Sequence, residues 1–282
     1  MFTTLISSDS LAENLADPKW VIMDCRFVLA EPAAGERSYR QSHIPAACYA
    51  HLERDLSSPV RAGSGRHPLP DREKLTAKLG AWGVSPASQV VVYDDNNGAI
   101  AARLWWLLRL LGHTNVALLD GCWGQWLKEG RPVTTDMPQS RQSMFVARPP
   151  LASWMSSLEV QDALLHQAIQ LLDARAPERF RGELEPIDKV AGHVPSAMNR
   201  PLQDNLAADG RFLPAGELRR QFIALVGHVA PGQVVHMCGS GVTACHNLLA
   251  MEHAGLNGSG LYAGSWSEWI RDPNRPVAKG DA

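Results

Sequence analysis

The sequence predicts an α/β protein in which one mainly parallel sheet, with helices on both faces, is written twice. Three observations lead there. Apolar β-like runs alternate with helical stretches along the chain, the pattern of a parallel sheet covered on both sides. Four blocks recur in the same order: Asp24-Cys25-Arg26 returns as Asp173-Ala174-Arg175, His43-Ile44-Pro45 as His193-Val194-Pro195, Gly121-Cys122-Trp123 as Gly264-Ser265-Trp266, and Arg131-Pro132-Val133 as Arg275-Pro276-Val277. Each returns roughly 145 positions later, too long a period for a solenoid unit and a fitting length for a duplicated domain. Third, 282 residues suffice for two ordinary domains. The expected boundaries are 1–135 for the first domain, 136–150 for a linker and 151–282 for the second.

The first copy opens on an apolar run, 21–26, that ends in Asp-x-Arg. A polar loop leads to His43-Ile44-Pro45, where proline biases the residue before it to an extended conformation. The stretch 57–70 is irregular, broken by Gly and Pro and carrying the basic residues Arg61, Arg66 and His67. A helix is expected over 71–79, a strand over Gln89–Tyr93, an amphipathic helix over 99–111 after a glycine-containing turn, and a strand over Val116–Leu119. A Gly-x-Trp-x-x-Trp turn closes the copy. The Pro-, Ser- and Gln-rich linker holds one short extended segment, 144–147, expected to pack on a domain. The second copy repeats the order: a run over 171–175, an irregular mixed-charge stretch over 181–192, a helix over 215–225, a strand over 233–237, a helix over 242–253 and a strand over Gly260–Tyr262.

Composition narrows the class. The chain is 45% hydrophobic and 20% charged, globular rather than disordered, and its net charge of -2 without a long basic run argues against a nucleic-acid partner. No run approaches about 18 apolar residues and the N-terminus has no charged n-region, so neither a membrane span nor a signal peptide is expected and the cytoplasm is the expected location. The five cysteines are odd in number and form no CxxC pair, which points to reduced thiols rather than disulfides or a structural zinc site.

The chemistry concentrates at Cys238-Gly239-Ser240-Gly241-Val242-Thr243-Ala244. An apolar strand runs into a cysteine, a small-residue loop follows, and a helix begins. Loop amides and a helix N-terminus both stabilise a sulfur anion, so Cys238 is the candidate nucleophile. The repeat spacing sets Asp95 opposite Cys238 and Gly98 opposite Gly241, so the first copy has carboxylates where the second has sulfur and is expected to be silent. Cys25, Cys48, Cys122 and Cys245 fit core packing. A Cys-x5-Arg phosphatase would share the logic of a thiolate in an anion-binding loop, but it needs an arginine where Ala244 stands. A non-catalytic sulfur-binding module is the other competing class, and the intact Cys238 loop argues against it.

These residues resemble the rhodanese superfamily, specifically its tandem-domain sulfurtransferases. The Cys238 loop looks like that of the 3-mercaptopyruvate-using branch and less like that of thiosulfate-using members, which place two basic residues after the cysteine. The His-Pro boxes and the Gly264–Trp269 stretch are similar to the family's other signatures. The resemblance implies two tandem rhodanese-like domains and a ping-pong transfer. Cys238 would take a sulfur from a small donor as a persulfide and pass it to an acceptor, such as cyanide or a thiol like that of thioredoxin, with no metal or organic cofactor. It implies that Arg179 binds the donor, with Arg181 as a further candidate, that Gly239, Gly241, Val242, Thr243 and Ala244 surround the sulfur, and that Ser240 and His43 polarise the donor and move a proton. His43 equally fits a loop-holding role, like its counterpart His193, and Glu31 and Glu36 are the acids that could orient it. The chain departs from the branch at several positions: Ala263 replaces a frequent Asp, no arginine lies between Gly182 and Gly192, and Ile187 stands where a second donor-binding arginine is expected. Ala46 and Ser196 replace the glycine that usually follows each His-Pro box.

Overall fold

The computed structural model describes residues 1–139 and 142–281. The chain forms two compact units, one of Met1–Ser58, Leu69–Leu151 and Ala208–Phe212, the other of Pro59–Pro68, Ala152–Ala207 and Leu213–Ala282. Each unit therefore takes in a short segment from the other half of the sequence.

The first unit holds strands β1 (Leu5–Ile6), β2 (Trp20–Asp24), β3 (Cys48–Tyr49), β4 (Gln89–Tyr93) and β5 (Val116–Leu119), with helices α1 (Ser8–Ala12), α2 (Ala34–Gln41), α3 (Arg72–Ala81), α4 (Ala101–Leu110) and α5 (Cys122–Lys128). The second holds β6 (Ser153–Met155), β7 (Gln170–Asp173), β8 (Met198–Asn199), β9 (Val234–Met237) and β10 (Gly260–Tyr262), with α6 (Ser157–Leu165), α7 (Pro177–Arg181), α8 (Ala215–Val226), α9 (Ala244–His253) and α10 (Ser265–Trp269). The sheet orders are β1-β5-β4-β2-β3 and β6-β10-β9-β7-β8, and every pairing is parallel. Parallel neighbours need crossover connections, which the intervening helices provide.

The central strands are apolar because both sheet faces are covered. All five residues of β4 and all four of β9 are buried. The helices that follow them are apolar around nearly their whole circumference: Ala101 to Leu108 of α4 and Ala244 to Met251 of α9 are buried. A helix fixed on all sides holds its N-terminus in place, and in the second unit that end adjoins Cys238. The core beneath it joins Leu171, Val235 and Met237 to Tyr262, Trp266 and Trp269.

The repeated blocks perform the same work in each unit. The arginine of each Asp-x-Arg pairs with its aspartate, Arg26 Nη2 at 2.6 Å from Asp24 and Arg175 Nη2 at 2.7 Å from Asp173. Each lies over a tryptophan, Arg26 4.6 Å from the Trp123 ring and Arg175 4.8 Å from that of Trp266. Each donates to the carbonyl just ahead of a His-Pro box, Arg26 to Ser42 O and Arg175 to Gly192 O. Trp126 and Trp269 donate in parallel to the carbonyls of Pro132 and Pro276. Ala46 and Ser196 both adopt left-handed backbone, at φ 65° and 64°, the conformation that explains why glycine is usual there. The linker segment packs as expected, with Phe145 buried and Ser143 N bonded to Gly80 O.

Candidate active site

Cys238 is the first residue beyond β9, the middle strand of its sheet, at the carboxyl end where parallel sheets place their ligands. Its backbone is pinned from both sides. Cys238 N donates to Ser265 Oγ at 3.1 Å, its carbonyl accepts from Trp266 N at 3.0 Å, and Gly239 O accepts from Ser267 N at 2.9 Å. The Gly-Ser-Trp block thus holds the loop. Gly241 turns the loop at φ 75°, and a Cβ there would lie 2.2 Å from Ala263 O, so only glycine fits. The turn points Gly241 N at Cys238 Sγ, 3.2 Å away. Helix α9 begins at Ala244, two residues later than the sequence suggests, because 238–243 forms the loop. No acidic residue occupies its first turn, which leaves the positive end of the helix dipole uncompensated. Val242 and Ala244 are buried in the loop wall and Thr243 is half-buried.

Ser240 Oγ lies 2.8 Å from Nδ1 of His67, and both residues are buried. His67 belongs to the exchanged segment Pro59–Pro68. That segment is fixed by Gly65 N donating to Glu268 Oε2 at 3.2 Å and Arg66 N donating to Ser267 Oγ at 3.1 Å. A serine–histidine pair beside a thiol can hand a proton to or from a bound donor.

His43 is placed otherwise. Its ring is fully buried in the first unit, with Nδ1 2.7 Å from Tyr39 O and Nε2 3.1 Å from Asp136 O, and it stacks on Tyr39. His193 does the same in the second unit, with Nδ1 2.8 Å from Phe180 O and its ring stacked on Phe180. The backbones of His43 and His193 form matching antiparallel bridges, to Thr134 and Ala278. Of the two roles open to His43, the structure gives it the loop-holding one, since both ring nitrogens are committed to carbonyl oxygens. Neither candidate acid orients it: Glu31 pairs with Arg37, and Glu36 with Arg40 and Arg54. The histidine next to the thiol loop is His67, whose partner Ser240 is 173 positions away and beyond any local motif.

Arg179 stands at the end of α7. It forks onto Glu185 through Nε and Nη2 and reaches Asp188 Oδ2 at 3.2 Å. A Cβ built on Gly239 would lie 3.6 Å from its Nη1 and Nη2, so the guanidinium borders the Cys238 loop. Glu185 is buried, which raises its carboxyl, but the bonds from Arg179 and from the amides of Asp188 and Ile187 outweigh burial and hold it below its usual range. Arg181 is a correction: its guanidinium turns outward onto Glu183, and the structure does not bring it to the loop. Cys245 donates to Gly241 O at 3.5 Å and is buried, a packing thiol that also braces the loop.

The register of the two units also corrects the alignment of the loops. Cys25 N bonds to Tyr93 O as Ala174 N bonds to Met237 O, and Trp123 N bonds to Asp94 O as Trp266 N bonds to Cys238 O. The counterpart of Cys238 is therefore Asp94, not Asp95. The first loop is one residue longer, and that extra residue displaced the alignment.

Comparison with known proteins agrees with this geometry. The family model for the rhodanese-like domain matches twice, at residues 7–129 and 156–272. The chain is 50% identical over 279 residues to a probable 3-mercaptopyruvate sulfurtransferase of Pseudomonas aeruginosa, covering 98% of each. It is 42% identical over 263 residues to a putative thiosulfate sulfurtransferase, SseB, of Mycobacterium tuberculosis, covering 93% of this chain and 91% of that one. Among solved structures, the 3-mercaptopyruvate sulfurtransferase from Leishmania major superposes with a TM-score of 0.83 at 30% identity, covering 96% of this chain and 76% of that one. Two parallel sheets, a doubled family match and near full-length relatives lead to one conclusion: the chain belongs to the rhodanese family and is a tandem-domain sulfurtransferase.

Proposed function

We propose that the protein moves sulfur from 3-mercaptopyruvate to a thiol or cyanide through a persulfide on Cys238. The observation that carries the reading is the thiol loop itself: Gly241 N–H directed at Cys238 Sγ from 3.2 Å, at the start of a buried helix, with Ser240 and His67 joined beside it. The Cys238 thiolate attacks the donor sulfur. An S–S bond forms and the donor's C3–S bond breaks, its electron pair leaving as the enolate of pyruvate. Ser240, relayed by His67, supplies a proton as the enolate becomes pyruvate, and Arg179 holds the donor carboxylate. The persulfide left behind is an anion, for which loop amides and the α9 N-terminus are suited. An acceptor thiolate, such as that of thioredoxin, or cyanide then attacks the outer sulfur. Its new bond to sulfur replaces the Cys238 S–S bond and returns the thiolate.

The first unit is proposed to be silent, because Asp94 stands in the place of the nucleophile. Thiosulfate is the second donor reading, favoured by the arginine beside the loop, which suits sulfonate oxygens as well as a carboxylate. Mass spectrometry after incubation with 3-mercaptopyruvate is expected to show one added sulfur on Cys238, removed by cyanide. Full activity in Cys238→Ser would overturn the mechanism, and a higher kcat/KM for thiosulfate than for 3-mercaptopyruvate would reverse the donor assignment.

A further inference from the structure

Two carboxylates hold the two exchanged segments, and they come from different places in the sequence. In the second unit Glu268, of the Gly-Ser-Trp block, accepts from Gly65 N through Oε2 at 3.2 Å and from Ser157 Oγ through Oε1 at 2.5 Å. In the first unit Gln125 stands at the position of Glu268, and Glu129, one helical turn further on, takes over. It accepts from Ser8 Oγ and from Nη2 of Arg211, which lies in the segment Ala208–Phe212. Ser8 and Ser157 are counterparts, each the first residue of its helix. We infer that Glu268 is a positioning residue that acts through His67: it latches the segment Pro59–Pro68 so that the imidazole meets Ser240, and so governs delivery of the proton to the departing enolate. This rests on the proposed function and adds to it a residue outside the thiol loop.

The latch is close-fitting. A Cβ built on Gly65 would lie 2.6 Å from Gly264 O, and one built on Gly264 would lie 2.3 Å from the carboxyl carbon of Glu268. The absence of side chains at both glycines is what lets segment and carboxylate come together. Arg66 N adds a bond to Ser267 Oγ at 3.1 Å. Ser157, whose oxygen also lies 2.7 Å from Tyr262 Oη, braces the far side of the carboxylate. Gly65 is two residues from His67, a reach of at most about 7 Å, so a displaced anchor displaces the ring that stands 2.8 Å from Ser240 Oγ.

The two half-reactions depend on that ring differently. A proton is needed as the C3–S bond of the donor breaks and the enolate becomes pyruvate. Cyanide attack on the persulfide expels Cys238 as a thiolate and needs none. A loosened segment should therefore slow sulfur loading and spare sulfur discharge.

The test is Glu268→Ala. Single-turnover pyruvate release at saturating 3-mercaptopyruvate should fall about 10- to 100-fold, the cost of a misplacement on the order of 1 Å. Discharge of the sulfur-loaded protein by cyanide, and alkylation of resting Cys238 by iodoacetamide, should each stay within about twofold. Glu268→Gln keeps an acceptor for Gly65 N, and its amide can donate to Ser157 Oγ, so it should recover pyruvate release to within about threefold of the unaltered chain, which a proton-transferring carboxyl would not. In a His67→Phe background, Glu268→Ala should add less than about twofold, because both changes act on one step. Gly65→Ala, which presses a methyl group on Gly264 O and leaves Glu268 intact, should give the same loss and serves if Glu268→Ala fails to fold. Pyruvate release within about twofold in Glu268→Ala, a glutamine variant as slow as the alanine one, losses that multiply in the double variant, or alkylation slowed as much as pyruvate release would each overturn the inference. Failure of the parent mechanism would show separately, as activity surviving in Cys238→Ser.

Discussion

The two units carry different side chains at the head of equivalent loops. In the first, the Asp94 carboxylate accepts four backbone N–H groups, from Asn96, Gly98, Ile100 and Ala101, each at 2.8 Å. In the second, Cys238 Sγ stands at the equivalent strand end and Gly241 N approaches it at 3.2 Å. The first unit shows what such a loop can hold, a compact anion ringed by amides at the head of a buried helix. There the anion is a built-in side chain; in the second unit the proposed persulfide would take that place. The exchanged segments differ in the same sense. Gly65-Arg66-His67 in the second unit corresponds to Gly210-Arg211-Phe212 in the first, where Phe212 N bonds to Asp120 Oδ1 and Arg211 pairs with Glu129. The first unit thus has Asp94 in the place of Cys238 and Phe212 in the place of His67, on a similar backbone.

His67→Phe, which gives the second unit the first unit's residue, should break the comparison most visibly. Turnover of 3-mercaptopyruvate is expected to fall about 10²- to 10⁴-fold, the range for loss of a general acid–base group. Steady-state pyruvate release measures it, and a loss under threefold would remove His67 from the chemistry. Asp94→Ala should strike folding instead. Four amides lose their charged acceptor, and urea denaturation should register about 3 kcal/mol of lost stability. Stability unchanged within about 0.5 kcal/mol would mean that the carboxylate does not hold the loop. The smallest effect concerns a feature the units share. Ala46→Gly and Ser196→Gly each relieve a left-handed residue and should stabilise by about 0.5–1 kcal/mol, seen as a raised Tm. Destabilisation at both sites would show that the methyl and hydroxymethyl groups pack usefully there.

Much of this was legible in residue patterns. The buried central strands appear as unbroken apolar runs, and the expected Gln89–Tyr93, Val116–Leu119 and Gly260–Tyr262 are the observed β4, β5 and β10. The edge strands β1, β3, β6 and β8 escaped notice, because two or three residues carry no periodicity. The thiol loop was legible because its chemistry is local: strand, cysteine, small residues, helix. The rest of the site is assembled across the chain. Arg66 and His67 sit in an irregular Gly- and Pro-rich stretch whose local pattern gives no hint of Ser240 or Asp188, whereas His43 sits in a conspicuous repeated box that proves to be a structural clasp. Repetition marked architecture, and the histidine bonded to Ser240 lay in a stretch where the copies diverge.

The traded segments, 59–68 and 208–212, bear on how such a duplicated gene can change. A chain cut at the linker would give a C-terminal fragment with Cys238 and Ser240 but without His67 or Arg66, and an N-terminal fragment without Phe212 on Asp120. Neither half is a self-sufficient module. Deleting the first copy would take from the second the histidine bonded to Ser240 and the arginine beside Gly239.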